Sequence, residues 1–209
     1  MVKKKIILVG GGGHSKSCID VIEQENKFII AGILDKENLE GETILGYPIL
    51  GSDELIEKLA KENYYFLITI GQIKSSVIRE KIYKSIKKVG GQLPIIVSPH
   101  AIVSPHATIE EGTIVMHNSI VNAATTIGKC CILNSASLIE HDCEIGDFCH
   151  ISTATAINGS VTIGNSCFIG SNSVINNNLN ITNSVIVPSG SRVSVSINRI
   201  GVFNNHKQR

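Results

Sequence analysis

The sequence predicts a mixed fold: a small Rossmann-like α/β unit over residues 1–92, then a parallel β-helix of hexapeptide repeats over residues 93–209. Three observations carry this. An aliphatic residue stands at every sixth position from Val97 to Val193, through Ile139, Ile145, Ile151 and Ile157, in 17 successive hexads without a slip. Two residues before each stands, in most hexads, a small side chain such as Ala107, Thr113, Ser119, Thr125, Cys131, Ser137, Cys143 or Ser173. And the chain begins with an apolar run, a glycine turn, a helical pattern, a second apolar run and an acid, in that order.

The opening run Lys5 to Val9 is a buried parallel strand that Gly10 to Gly13 ends sharply. A helix from His14 to Asn26 and a strand from Phe28 to Leu34 follow, with Asp35 at the strand's end. Ser52 to Leu59 has the pattern of a short capped helix, Tyr65 to Ile70 of a strand ending at Gly71, and Ile73 to Val89 of a second long helix. Gly90, Gly91 and Pro94 close the unit, and the hexads begin at once.

On a helix, six steps of about 100° leave successive aliphatics about 240° apart, so they share no face. A β-meander would lose count at its turns. A coil of three hexads keeps every aliphatic inward, with the small register filling the space beside it. The pairs Ile127-Gly128, Ile145-Gly146 and Ile163-Gly164 recur at eighteen, as one coil requires.

Net charge is +1 with acids and bases interspersed, which excludes a nucleic-acid face. Ile6 to Val9 is too short for a signal segment or a membrane span, so a cytoplasmic protein is expected. Of six cysteines, Cys131, Cys143, Cys149 and Cys167 follow the small inward register; with no CxxC pair and no matching histidines they are structural, and no metal is expected. Cys18 and Cys130 fit neither pattern.

Two motifs carry chemistry. Clustered glycines before a helix bring backbone N–H groups to a phosphate, yet a tight turn without ligand has the same sequence, and the dinucleotide fingerprint fails because Ser15 stands at its sixth position. Asp35 is either an acceptor for a ribose or sugar hydroxyl or a solvated acid. With no second half-sheet, a mononucleotide or nucleotide-sugar fits better than a dinucleotide. The second motif is the block Asn134 to Asp142. His141 falls in an outward phase, where a histidine is ordinarily just solvated, but eighteen residues on, directly above it, lies Gly159. A histidine beneath a residue without a side chain leaves a shelf where a general base meets a backbone N–H, the pair that acyl transfer needs.

The opening Ile7 to Ser15, Gly32 to Asp35, the Asn134 to Gly146 block and the hexads together resemble the bacterial sugar acetyltransferases typified by the sialic acid O-acetyltransferase and the UDP-4-amino-sugar N-acetyltransferase, the NeuD/PglD-like family. The resemblance implies a left-handed β-helix, a homotrimer holding acetyl-CoA between neighbouring helices, and a nucleotide-sugar on the N-terminal domain. It makes His141 the general base and Asp142 the acid that polarises it. Asn134 is then a polar substrate contact, and Gly159, His150 and Gly190 face the acetyl-CoA. Gly12, Gly13, His14, Asp35, Lys36 and Gly71 match the nucleotide-sugar contacts. Two stretches depart from the family pattern: Val187-Pro-Ser-Gly190, whose Pro188 has no N–H to give, and Gly201-Val-Phe-Asn-Asn205.

The activity so implied is acetyl-CoA-dependent N-acetylation of a nucleotide-linked amino-sugar of the UDP-4-amino-4,6-dideoxy type, in bacterial surface glycan synthesis. Sialic acid O-acetylation and a non-catalytic nucleotide-sugar-binding role are the alternatives. An imidazole titrates near neutrality and so suits direct transfer to a neutral amine. The rival is an acyl-enzyme on Cys143, which the hexad register turns into the core.

Overall fold

The computed structural model describes residues 3–36 and 39–204. They form two compact units, Met1–Gly71 with Val77–Pro99, and Gln72–Ser76 with His100–Arg209. The division thus falls beyond residue 92, and a five-residue segment of the first stretch joins the second unit.

In the N-terminal unit, β1 (Lys4–Val9), β2 (Phe28–Leu34), β4 (Tyr47–Gly51) and β5 (Tyr65–Ile68) are parallel, and β3 (Thr43–Ile44) runs antiparallel to β4, in the order β3-β4-β2-β1-β5. Ile6 to Val9 in β1, an interior strand flanked by β2 and β5, are buried, as a strand covered on both faces requires. α1 (Gly13–Glu25) buries Cys18, Ile19, Val21 and Ile22 and ends at Asn26, which takes the left-handed conformation at φ 59°. A 3₁₀ turn (Asp53–Leu55) leads into α2 (Ile56–Lys61). Ser52 stands at its start without a side-chain capping bond, so the capped helix expected there is only partly realised.

Two expected spans are shortened. β5 ends at Ile68, and two residues on the Ile70 carbonyl accepts from Nη1–H of buried Arg79 at 2.6 Å rather than continuing the strand. α3 covers Val77–Lys88, four residues shorter at its start than the apolar pattern from Ile73 implies, because Gln72 to Ser76 pack with the other unit. The β3–β4 hairpin carries no strong alternation and was not expected.

The second unit is a parallel β-helix. Two-residue strands stack into three faces: face A from Ile102–Val103 to Arg192–Val193, face B from Thr108–Ile109 to Asn180–Ile181, and face C from Ile114–Val115 to Val185–Val187. Neighbours in a face are 18 residues apart, as in Ile139↔Ile157 and Ile157↔Ile175. All the hexad aliphatics lie in strands, and from Val115 to Val193 every one is buried. Val103 and Ile109, with no earlier solenoid coil to cover them, are half-buried.

The small register has a polar reason as well as a steric one. Most hydroxyls and thiols there donate to a carbonyl on the next coil: Thr113 Oγ1 to Gly128 O at 2.7 Å, Cys131 Sγ to Gly146 O at 3.1 Å, Cys149 Sγ to Gly164 O at 3.0 Å, Cys167 Sγ to Thr182 O at 3.2 Å, while the Ser119 and Ser137 hydroxyls pair with each other at 2.8 Å. Ser, Thr and Cys fit because they are small and can donate. The six cysteines are all buried and free.

The corners follow a third register. Three residues before each aliphatic from Val115 onward the backbone is left-handed, at Asn118, Ala124, Cys130, Ala136, Asp142 and onward to Ser184, with Gly112 and Gly190 in the same phase. No β-branched residue stands at these positions, which the conformation disfavours. Cys130 is thereby explained as a buried corner residue. The Ile-Gly pairs have their own cause: a Cβ on Gly128 would lie 2.6 Å from Asp147 Oδ1, and that oxygen accepts the Lys129 N–H at 2.8 Å. The solenoid closes where the count meets Arg199. The last coil is two residues shorter, pairing Val185 with Gly201 and Ile181 with Ile197.

Candidate active site

His141 lies just past face A, and Asp142 after it is a left-handed corner, a conformation that Asp tolerates. The corner folds the carboxylate back so that His141 Nδ1 and Asp142 Oδ2 are 2.7 Å apart. That leaves Nε2 as the free nitrogen of the pair. Both side chains are exposed, 62% and 58%. On the next coil Gly159 covers the ring: a Cβ built there would stand 2.7 Å from His141 Cε1 and 2.9 Å from Nε2. Gly159 thus lies over His141, as the eighteen-residue count implies. Among the described residues the Gly159 N–H has no acceptor, since the coil bonds on either side use Asn158 and Ser160.

An open groove of about 550 Å³ runs past this shelf, lined by Glu140, His141, Asn158, Gly159, Asn177 and Asn178. Motif reading missed the asparagines, although the same arithmetic places 177 above 159 and 178 above 160. Cys143 Sγ points inward and donates to Asn158 O at 3.2 Å, and burial pushes its thiol above the usual range.

Asn134 and His150 lie elsewhere, at face C. Asn134 Nδ2 donates to His150 Nε2 at 3.1 Å, and His150 Nδ1 donates to the carbonyl of Gln72 at 2.6 Å. His150 is 7% exposed, its ring edge-on to Phe168. Within one chain neither residue lines the His141 groove. Gly190 takes a corner at φ 70° and commits its N–H to Ser171 O at 2.8 Å. Pro188 has no N–H to give, and beside it the shortened last coil pairs through Phe203 N–H to Ile186 O at 2.8 Å. Of the closing stretch, Asn205 lies outside the described residues.

In the N-terminal unit the glycines divide in two. Gly10, at φ 111°, would drive a Cβ to 2.3 Å from Ile70, and a Cβ on Gly11 would meet Asp35 Oδ2 and Ile44. These two are required by the fold. A Cβ on Gly12 or Gly13 meets nothing within 4 Å, and Gly12 has an ordinary φ of −72°. They leave open space at the start of α1, where N–H groups and the helix dipole favour an anion. Asp35 proves to be a backbone staple: Oδ2 accepts the Gly11 N–H at 2.5 Å and Oδ1 the Lys36 N–H at 2.8 Å. Gly71 sits beside His14 in ordinary contact, and His14 Nε2 is 3.4 Å from Cys18 Sγ. Burial pushes the Cys18 thiol up to about 12.

Beyond the strand ends a cavity of about 330 Å³ is lined by Asp35, Lys36, Ser52, Asp53, Ile70 and Ile78. Burial raises the Asp53 carboxyl, Lys81 opposing the shift and Asp35 adding to it. No spacing in the sequence singles out Ser52, Asp53 or Ile78, which tertiary packing alone brings together. Among the described residues no group of three or more His, Cys, Asp or Glu is placed to hold a metal, and no helix is long and apolar enough to cross a membrane.

Residues 5–86 match the model of the PglD N-terminal domain. A histidine-to-asparagine variant of perosamine N-acetyltransferase from Caulobacter crescentus, solved with CoA and GDP-perosamine, is similar at 27% identity and TM-score 0.86, over 95% of this chain and 90% of that one. The acetyltransferase domain of PglB from Neisseria gonorrhoeae in complex with acetyl coenzyme A is similar at 25% identity and TM-score 0.85, over 94% and 93%. WeeI from Acinetobacter baumannii is similar at 27% identity and TM-score 0.82, over 93% of each. No curated protein matches the chain in sequence.

Proposed function

Because the chain is an acyltransferase of the PglD-like sugar acetyltransferase family, we propose that it transfers the acetyl group of acetyl-CoA to the amine of a nucleotide-linked 4-amino-sugar in surface glycan synthesis. The neighbours solved with CoA, acetyl coenzyme A and GDP-perosamine support both ligand classes. The observation that carries the reading is the His141 ring lying under Gly159 with its Nδ1 held by Asp142.

Acetyl-CoA supplies the acyl group as a thioester. His141 Nε2 takes a proton from the sugar amine as the C–N bond forms, while Asp142 stabilises the imidazolium. The unpaired Gly159 N–H receives the charge that develops on the carbonyl oxygen. As the C–S bond breaks, His141 returns the proton to the sulfur. Cys143, inward and with its thiol raised by burial, is ill-suited as a nucleophile, which favours direct transfer.

The test is a screen of UDP- and GDP-linked 4-amino-sugars and free sialic acid with acetyl-CoA, read by mass spectrometry for the gain of one acetyl group. Transfer to sialic acid alone would replace this reading with O-acetylation, and binding without transfer would leave a nucleotide-sugar-binding protein.

Two variants probe the parts separately. Gly12→Val puts a branched side chain into the open space at the start of α1 without straining the backbone. It is expected to weaken acceptor affinity at least tenfold, by crowding the phosphate, while calorimetry finds acetyl-CoA affinity unchanged. Equal losses for both ligands would contradict the division. Gly159→Ala forces the His141 ring off its shelf, and kcat should fall roughly 10-fold or more while the thermal midpoint holds, since angstrom-scale misplacement is enough for such losses. Parent-like turnover would show that the ring need not lie there.

A further inference from the structure

Gln72 is 2% exposed and packs in the solenoid unit. Its side-chain Nε2 donates to Phe148 O at 2.8 Å and lies 3.4 Å from Cys167 O. Its own carbonyl accepts from His150 Nδ1. A carbonyl can only accept, so Nδ1 carries the proton, and Nε2, which faces the amide nitrogen of Asn134, is the acceptor of that pair. Asn134 answers in kind: its Oδ1 accepts the Ser135 N–H at 2.8 Å, which turns Nδ2 toward His150 Nε2. Each link fixes the direction of the next, and one of the two Nδ2 hydrogens of Asn134 is left over.

The arrangement is kept against a local cost. Gln72 Oε1 is buried with no hydrogen-bond partner among the described residues, a desolvation penalty that an apolar chain of the same length would avoid. A residue selected for packing alone has no use for that amide.

We propose that Gln72 is a positioning residue: by pinning its own carbonyl against His150 it holds that ring in the Nδ1-protonated form, and His150 in turn aims the spare Nδ2–H of Asn134 at the acyl donor. This rests on what the family resemblance implies, that His150 faces acetyl-CoA and Asn134 contacts the substrate, and on the proposed acetyl transfer. The buried amide is then the source of the order in the pair.

The test is Gln72→Met, which keeps the volume and removes both the pin and the stranded oxygen. The thermal midpoint should equal or exceed the parent's. In ¹⁵N-histidine NMR the parent's His150 should be the pure Nδ1–H tautomer, and the variant's a mixture. Acetyl-CoA affinity by calorimetry should fall roughly 3–10-fold, the range of one ordinary hydrogen bond, and the same change made in an Asn134→Ala background should have no further effect. An Nε2–H tautomer in the parent overturns the proposal with no variant needed. So does a Gln72→Met protein with parent tautomer and affinity, or a loss that adds fully to that of Asn134→Ala. Should the methionine variant not fold, Gln72→Leu carries the same readouts. If no acceptor is acetylated, the functional reading fails while the tautomer still decides the role of Gln72.

Discussion

Ile157→Asp is expected to abolish the folded solenoid. Ile157 is wholly buried and pairs in register with Ile139 below and Ile175 above, both also wholly buried. The change forfeits about 1.5–3 kcal/mol of aliphatic burial. It also places a carboxylate among side chains that offer no partner, where an isolated charge costs far more than a domain's net stability of roughly 5–15 kcal/mol can absorb. A solenoid cannot confine the damage, because each coil is stable only through its neighbours. Circular dichroism should show loss of the cooperative β transition, and size exclusion an expanded or aggregated species. A soluble variant melting at the parent temperature would mean that position 157 does not point inward. A residual transition from the N-terminal unit is compatible with the expectation, since that unit has its own sheet and core.

His141→Ala should lower kcat by roughly 10²–10⁴-fold, the usual worth of a positioned general base, with little change in the KM of either substrate. The side chain is exposed and its polar partner is the neighbouring Asp142, so its removal leaves no buried group stranded and the thermal midpoint should stay put. Cys143→Ala belongs in the same experiment: it should stay active, losing some stability with the bond to Asn158 O. An inactive, folded Cys143→Ala protein with acetyl trapped on that sulfur in the parent would replace direct transfer with an acyl-enzyme. Near-parent turnover of His141→Ala would remove the base altogether.

How much of this was legible in the sequence depends on which unit is considered. In a parallel solenoid the separation along the chain is also an address in space: eighteen residues lift the chain by one inter-strand step of about 4.8 Å. Counting therefore placed Gly159 on His141, turned Cys143 inward and set Ile139, Ile157 and Ile175 in one column. The left-handed corners were written there too, in a phase that avoids β-branched residues, but without coordinates nothing distinguished that phase from a merely polar one.

No such address exists where contacts are made between distant segments. Asp35 read as either an acceptor for a hydroxyl or a solvated acid, and only the folded turn shows both its oxygens held by backbone N–H groups. His150 was expected at the acyl donor, and only the fold shows that its two nitrogens meet Gln72 and Asn134. Gln72 itself, 78 residues before His150, falls between the strand expected to end at Gly71 and the helix expected to begin at Ile73, where the sequence pattern says nothing. By itself the sequence determined the α/β start, the solenoid, its register and the His141–Gly159 shelf, because those depend on periodicity and on the backbone preferences of single residues. The tertiary structure alone decided which carbonyl a buried amide pins, where α3 begins, and which side chains close the cavity around Asp53, because these are fixed by long-range packing in which a hydrogen-bond partner is chosen by proximity and by the cost of leaving a buried polar atom unpaired.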